Sequence, residues 1–362
     1  MKNIKINKKT KQMLITLAIV VIFYAFIEIL SLAGALSGLF SGLLVPMTVY
    51  ILAAIGLNLC VGYLGELSLG HAGFMCVGAY SSSLFSMIFK DAIPDALRFL
   101  LALAVGGIVA MIFGFLIAIP VLRLKGDYLA IVTLAFGEII KNIINTLFIG
   151  RDADGFHFSM KDTASLNMAA DGEVILNGPQ GITGTPKQAT FTIGILLIIL
   201  CLVIVYNFVN SRTGRAVTAI RDNRIAAETI GINITKYKII AFTLSAGIAG
   251  LGGVLYAHNL NSLTATTKNF GYNMSIMLLV YVVLGGIGSL RGTIIATVIL
   301  YALPELLRGL ADYRMLIYSI VLIALMIFNW APGVKTWREV HGLDGASLQK
   351  KLKFGKKEKE VQ

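Results

Sequence analysis

The chain has 362 residues, of which 57% are hydrophobic and 14% charged, and its net charge is +12. A soluble domain is about half apolar and about a quarter charged, and the runs Phe99–Ile119, Phe191–Val209 and Tyr272–Leu290 carry no charge at all, so an ordinary soluble fold is excluded. A nucleic-acid binder is excluded too, because the basic residues fall in gaps between apolar runs instead of clustering on a polar surface; the class that remains is an all-α polytopic membrane protein.

In chain order, a basic tail over residues 1–12 (Lys2, Lys5, Lys8, Lys9, Lys11) precedes an apolar run over 13–32. Ala33-Gly34-Ala35 after it has the look of a signal-peptide cleavage site, but the run is longer than the ~7–15 residues of a signal core. We read it as an uncleaved first span. About 20 apolar residues cross a bilayer, fewer where a helix is broken or buried in protein. On that basis further spans are expected at 39–59, 67–89, 99–119, 128–149, 191–209, 239–260, 274–290, 292–307 and 315–330. The expected total is about ten, some broken or half-length, in a transmembrane domain over 13–330 followed by a basic tail over 331–362. With both termini on the cytoplasmic side, the inner segments hold 22 Lys and Arg and the outer segments 8, with Lys141 inside a span. That bias follows the positive-inside rule. Cys60, Cys76 and Cys201 all lie in apolar runs and read as small packing residues, not a disulfide framework.

Two connections are too long to be turns. The outer segment 150–190 is acidic (Asp152, Asp154, Asp162, Asp171, Glu173) and its Asn177–Gly181 stretch reads as turns; it is expected to be a solvated loop or a docking surface for an external partner. The inner segment 210–238 carries helix signals. Asp222 or Asn223 is an N-cap candidate, Gly231 suits the left-handed C′ position, and the two predict a short helix over 223–231.

Polar and small residues inside spans are the other candidates for function. Ser68, His71 and Thr133, with the glycine group Gly285, Gly286, Gly288, Ser289 and Gly292, suit either close helix packing or broken helices that line a pathway. Ala246, Ala249, Gly250 and Gly253 read as packing alone. Glu138 and Lys141, three residues apart on one helix face, are an acid–base pair at membrane depth; such a pair either serves function or fixes helix orientation.

The spacing Ile225-Ala226-Ala227-Glu228-x-x-Gly231 resembles the coupling motif of ABC-importer permeases, although Ile225 stands where that motif has Glu. The flanks Ser211–Ala216 and Asn233–Lys238, and the blocks Gly62–Ala72, Gly126–Glu138 and Val283–Gly292, make the likeness specific to the permeases of branched-chain amino-acid ABC importers, over most of residues 50–330. Within that family the chain is similar to the larger of the paired permease subunits. The resemblance implies a bacterial plasma-membrane permease that pairs with a second homologous permease subunit, two ATP-binding subunits and an external solute-binding protein. Ile225, Ala226, Ala227, Glu228 and Gly231 would then couple to the ATPases, and Ser68, His71, Thr133, Glu138, Gly286, Gly288 and Ser289 would flank the route. No phosphate-binding loop occurs in the sequence, so hydrolysis would fall to another polypeptide. No cofactor and no metal is expected. A permease for another small solute such as urea, or an ion-coupled secondary transporter using Glu138, Lys141 and His71, are the alternatives. The basic C-terminal tail suggests contact with anionic membrane lipid.

Overall fold

The computed structural model describes residues 8–34, 37–90, 92–124, 126–153, 155–169, 172–307 and 313–331. Most of the expected basic tails, 1–7 and 332–362, lie outside the described residues. The chain divides into two compact units, Met1–Val298 and Ile299–Gln362. The first holds every candidate residue named above.

The chain is mostly helical, and each expected span coincides with a helix. These are α1 (Lys8–Leu32), α2 (Gly38–Asn58), α3 (His71–Ile88), α4 (Asp95–Val121), α5 (Asp127–Thr146) and α6 (Phe191–Asn210). The inner segment folds as α7 (Arg212–Asp222) and α8 (Arg224–Thr229), and is followed by α9 (Ile234–Ala257), the one-turn α10 (Thr267–Phe270), α11 (Tyr272–Gly285), α12 (Leu290–Leu306) and α13 (Arg314–Trp330). Among the described residues, six helices are long and apolar enough to cross a membrane by themselves: α1, α2, α4, α5, α6 and α9. The others fall short for visible reasons. α3 carries a histidine, a tyrosine and four serines, and α11, α12 and α13 have 14, 17 and 17 residues.

Three boundaries differ from the sequence reading. α2 does not stop at residue 59 but runs on through a wide π turn, Leu59–Leu64, that ends at Gly65 with φ +79°. Only glycine takes that backbone without strain, and residues 65–70 then pass as an irregular segment into α3. The expected span 274–290 ends early, at Gly285, because Gly286 and Gly288 adopt φ +95° and +79°. The segment between α11 and α12 is therefore a break and not helix. The span expected to reach residue 149 stops at Thr146, where strand begins.

The outer segment is also more ordered than a solvated loop. Strands β1 (Phe148–Asp152), β2 (Gly155–Ser159) and β3 (Glu173–Asn177) form an antiparallel sheet in the order β2-β1-β3. Its register runs from Phe148↔Ser159 to Asp152↔Gly155 on one side of β1 and includes Arg151↔Glu173 on the other. Strands β4 (Ile182–Thr183) and β5 (Ser262–Leu263) pair Ile182 with Leu263, tying this segment to the stretch after α9. The fold is thus all-α in its bundle but carries a small all-antiparallel cap.

α2, α3 and α9 form the centre, with α4 against them. Between helices in lipid there is little hydrophobic driving force, so close van der Waals fit decides packing. Here the fit depends on glycine: a Cβ on Gly253 would strike the Met75 carbonyl, one on Gly78 would strike Gly250, and one on Gly250 would strike Ala110. Ala246 and Ala249 are fully buried beside them. The three cysteines are free and buried.

Candidate functional site

The loops gather at two ends of the bundle. One end, the coupling end, holds the break 59–70, the α7–α8 segment and the α11–α12 break. The other, the sheet end, holds the α3–α4 turn, the β strands and the stretch after α9: Arg151 Nη1 donates to the Ile88 carbonyl (2.9 Å), and Asn145 Nδ2 to that of Ala265 (2.9 Å).

At the coupling end, α8 is built locally. Of the two N-cap candidates Asn223 takes the position, its Oδ1 accepting from the Ala226 N–H (3.0 Å). Gly231 adopts φ +84° after the last turn, and the Ile232 N–H closes back on the Ala227 carbonyl (3.1 Å). Ala227 is buried in a small cluster with Ile220 and Ile234. Ile225 and Ile230, by contrast, are 76% and 75% exposed, with Ala226 and Glu228 exposed beside them. One bare isoleucine in the six-residue helix and another at its C-cap make an apolar knob on an otherwise polar segment.

The segments on both sides of α8 reach the same break. Arg221, at the end of α7, donates from Nη1 to the Gly62 carbonyl (2.8 Å). Lys238, in the second turn of α9 and buried, pairs with the Glu66 carboxylate.

The first break is secured from within the bundle as well. The Ser245 hydroxyl donates to the Gly56 carbonyl (2.5 Å), so it accepts from His71 Nε2–H (2.8 Å), which leaves His71 Nδ1 to accept from the Ser68 hydroxyl (3.0 Å). Ser68 and His71 are fully buried in this chain of bonds. Thr133 Oγ1 accepts from the Leu69 N–H (3.0 Å), so α5 backs the same segment.

The second break meets the first through Asn58. Its Oδ1 accepts from the Gly288 N–H (2.9 Å), and its Nδ2 donates to Thr293 Oγ1 (2.6 Å). The two backbones touch: a Cβ on Gly62 would lie 2.7 Å from Gly288 Cα and strike both the Gly288 nitrogen and the Asn58 side chain. Ser289 caps α12, its Oγ accepting from the Gly292 N–H (3.3 Å). Gly292 and Gly285 pack against each other inside the α11–α12 hairpin. Arg291 Nε reaches across to Thr16 of α1 (2.6 Å).

Glu138 is not part of this assembly. It lies toward the sheet end, where its Oε1 accepts the Tyr272 N–H (2.7 Å) at the N-terminus of α11, and its carboxylate pairs with Lys141. Lys141 also donates to Thr267 Oγ1 (3.0 Å). A carboxylate there satisfies an orphan helix N–H and complements the positive helix end.

Five participants were missed from sequence: Asn58, Arg221, Ser245, and Glu66 with its partner Lys238. Asn58 had a signal, being an amide inside an apolar run. The Glu66–Lys238 pair had none, since its members are 172 residues apart. Among the described residues no group of three or more His, Cys, Asp or Glu is placed to hold a metal.

A polytopic bundle with broken helices, polar groups closing the breaks and a capped helix at one end defines a membrane permease subunit. Residues 39–329 match the family described as branched-chain amino acid transport system / permease component, and the chain belongs to that family. The high-affinity branched-chain amino acid transport system permease protein LivM of Salmonella typhimurium is 34% identical over 293 residues, 78% of this chain and 67% of its own. LivM of Escherichia coli is 33% identical over the same shares. A fructose import permease protein, FruG of Bifidobacterium longum, is 22% identical over 90% of this chain and 93% of its own. No solved structure matches. The chain is a LivM-type permease and not an enzyme; in such systems ATP hydrolysis lies in separate subunits.

Proposed function

We propose that this chain is a ten-span permease subunit of an ATP-driven importer in the bacterial plasma membrane, carrying branched-chain amino acids delivered by an external binding protein. Its partners are a second, homologous permease subunit and two ATP-binding subunits. Both termini and the α8 end face the cytoplasm, in keeping with the 22-to-8 distribution of Lys and Arg. Ile225, Ala226, Ala227, Glu228 and Gly231 form the surface on which an ATPase acts, and the route runs past Ser68, His71, Thr133, Gly286, Gly288 and Ser289; Glu138, also expected to flank it, lies toward the sheet end against Tyr272 and Lys141.

The observation that carries this reading is α8 itself. This short capped helix presents Ile225 and, at its C-cap, Ile230 side by side with Ala226 and Glu228, an apolar patch suited to cover by a partner surface. The substrate class follows the LivM relatives, which are more similar than the sugar permeases.

The test is purification of the chain from its own host, together with uptake by the reconstituted complex. An ATPase bearing a phosphate-binding loop should come down with the wild-type chain. Ala227→Trp with Gly231→Trp should remove that ATPase and abolish uptake while the chain still inserts. Radiolabelled leucine should accumulate and fructose should not. Normal uptake by the double variant, or fructose uptake in place of leucine, overturns the corresponding part.

A further inference from the structure

Resting on that reading of α8, we infer that Gly62, Asn58, Gly288 and Arg221 form a latch that closes the inner end of the route, and that the coupling segment holds it shut. Three observations join in this inference.

First, both flanks of α8 grip one short stretch of chain. Arg221 holds the Gly62 carbonyl (2.8 Å) and Lys238 holds Glu66, four residues on. A displacement of α8 therefore pulls on the π turn at Gly62 and on the chain just beyond it at Glu66; Arg224, Glu228 and Lys236 are exposed.

Second, the stretch they grip is the one that meets the other break. The Gly62–Gly288 approach leaves no room for a side chain on Gly62, and Asn58 bridges it by accepting from the Gly288 N–H (2.9 Å). Both breaks expose backbone groups that a membrane interior cannot hydrate, and each such group must find a partner. At this point the partners come from the opposite break, or from Arg221.

Third, the bonds that hold the contact run from side chains to backbone and not from backbone to backbone. Once the route opens and admits water, they can be exchanged for bonds to that water without unwinding a helix, which a backbone ladder does not allow. When Arg221 withdraws, the Gly62 carbonyl is freed, the π turn relaxes, and Asn58 can leave Gly288. The buried His71–Ser245 chain and Thr133 anchor the far side of the same segment, so movement is confined to the latch.

Arg221 is accordingly a positioning residue that acts through Gly62. The test uses the complete importer in proteoliposomes loaded with radiolabelled leucine and without ATP. Arg221→Ala and Asn58→Ala should each raise passive leucine leak about tenfold, as expected for loss of a charge-assisted or buried bond. A second measurement restores the tie by other means. The Cβ of Arg221 lies 3.4 Å from where a Cβ on Gly65 would stand, close to the ~3.5–4.5 Å of a disulfide. With Gly65→Cys and Arg221→Cys, read against Gly65→Cys alone because residue 65 sits at φ +79°, the reduced complex should leak about tenfold more than that single variant; oxidation should stop both leak and ATP-driven uptake, and reduction should reverse this. Because one sample is read in both states, a folding defect cannot imitate the result. Leak at the wild-type level in Arg221→Ala and Asn58→Ala, or uptake unaffected by the disulfide, overturns the latch. Wild-type complex that never accumulates leucine with ATP overturns the proposed function instead.

Discussion

The two ends of the bundle hold irregular backbone in opposite ways. At the sheet end, backbone pairs with backbone: β1 is hydrogen-bonded on both sides, and β4 is laddered to β5. At the coupling end the breaks at 59–70 and 286–289 have no ladder, and side chains close them: Asn58, Arg221, Thr133, Ser289 and the Glu66–Lys238 pair. A ladder must come apart as a unit, whereas single side-chain bonds can be exchanged one at a time. The difference assigns rigidity to one end and adjustable contact to the other. Charged pairs follow the same division. Glu138–Lys141 fastens α5 to the start of α11 at the rigid end, and Glu66–Lys238 fastens α9 to a break at the adjustable one.

Three measurements sharpen or break this contrast. The largest effect belongs to Gly62→Val, which forces a side chain between two touching backbones; it should lower the stability of the detergent-purified chain by about 3 kcal/mol, the upper range for overpacking. Gly42→Val, in α2 where nothing lies within 4 Å, should change stability by no more than about 0.5 kcal/mol. Equal midpoints for the two variants in thermal unfolding would show that the breaks are not in tight contact.

Next comes Lys141→Ala. It leaves the Glu138 carboxylate without its cation at 24% side-chain exposure, and should destabilise by about 2 kcal/mol, less than breaking a fully buried pair because solvent reaches the carboxylate. Uptake per folded complex should stay near wild type. Uptake lost at unchanged stability would instead move Glu138 and Lys141 from fastening into transport, and the rigid-end assignment with them.

The smallest effect is on the sheet cap. Asp162 accepts bonds from the Ser165 hydroxyl (2.6 Å) and backbone N–H (2.8 Å), which hold its pKa below the usual carboxylate value. A depressed folded-state pKa adds stability above the unfolded value and loses it as pH falls through the folded one. Exchange of the Ser165 amide, corrected for intrinsic rates, should therefore rise below the ordinary carboxylate range while that of Ile149, inside β1, stays slow. Matching acid sensitivity at both amides would mean that the sheet, too, depends on side-chain bonds.

Much of the fold was legible without coordinates. Runs of uncharged apolar residues gave the helices, and Asn223 and Gly231 gave α8, since caps act over three or four residues. The β strands were not legible. Phe148–Asp152 and Gly155–Ser159 are five residues each, and such short strands exist only because they pair. The breaks were half legible: the glycines at 286 and 288 marked a place where a helix is weak, but packing and breaking use the same residue, and Gly62 and Gly65 drew notice only as part of a family-like block. At Gly253 and Gly78 glycine serves close packing; at Gly65, Gly286 and Gly288 it serves positive φ.

The order of apolar and basic segments and the local capping signals, acting within a few residues, determined from the sequence alone that this chain is a membrane-embedded helical bundle with a short helix between two spans. Only the tertiary structure decided which polar groups meet. Arg221 reaches Gly62 from 159 residues away, and Asn58 reaches Gly288 across 230. In a medium without water every free N–H and carbonyl must be matched, and where the match comes from is settled by which helices lie side by side, a property that no stretch of the chain carries by itself.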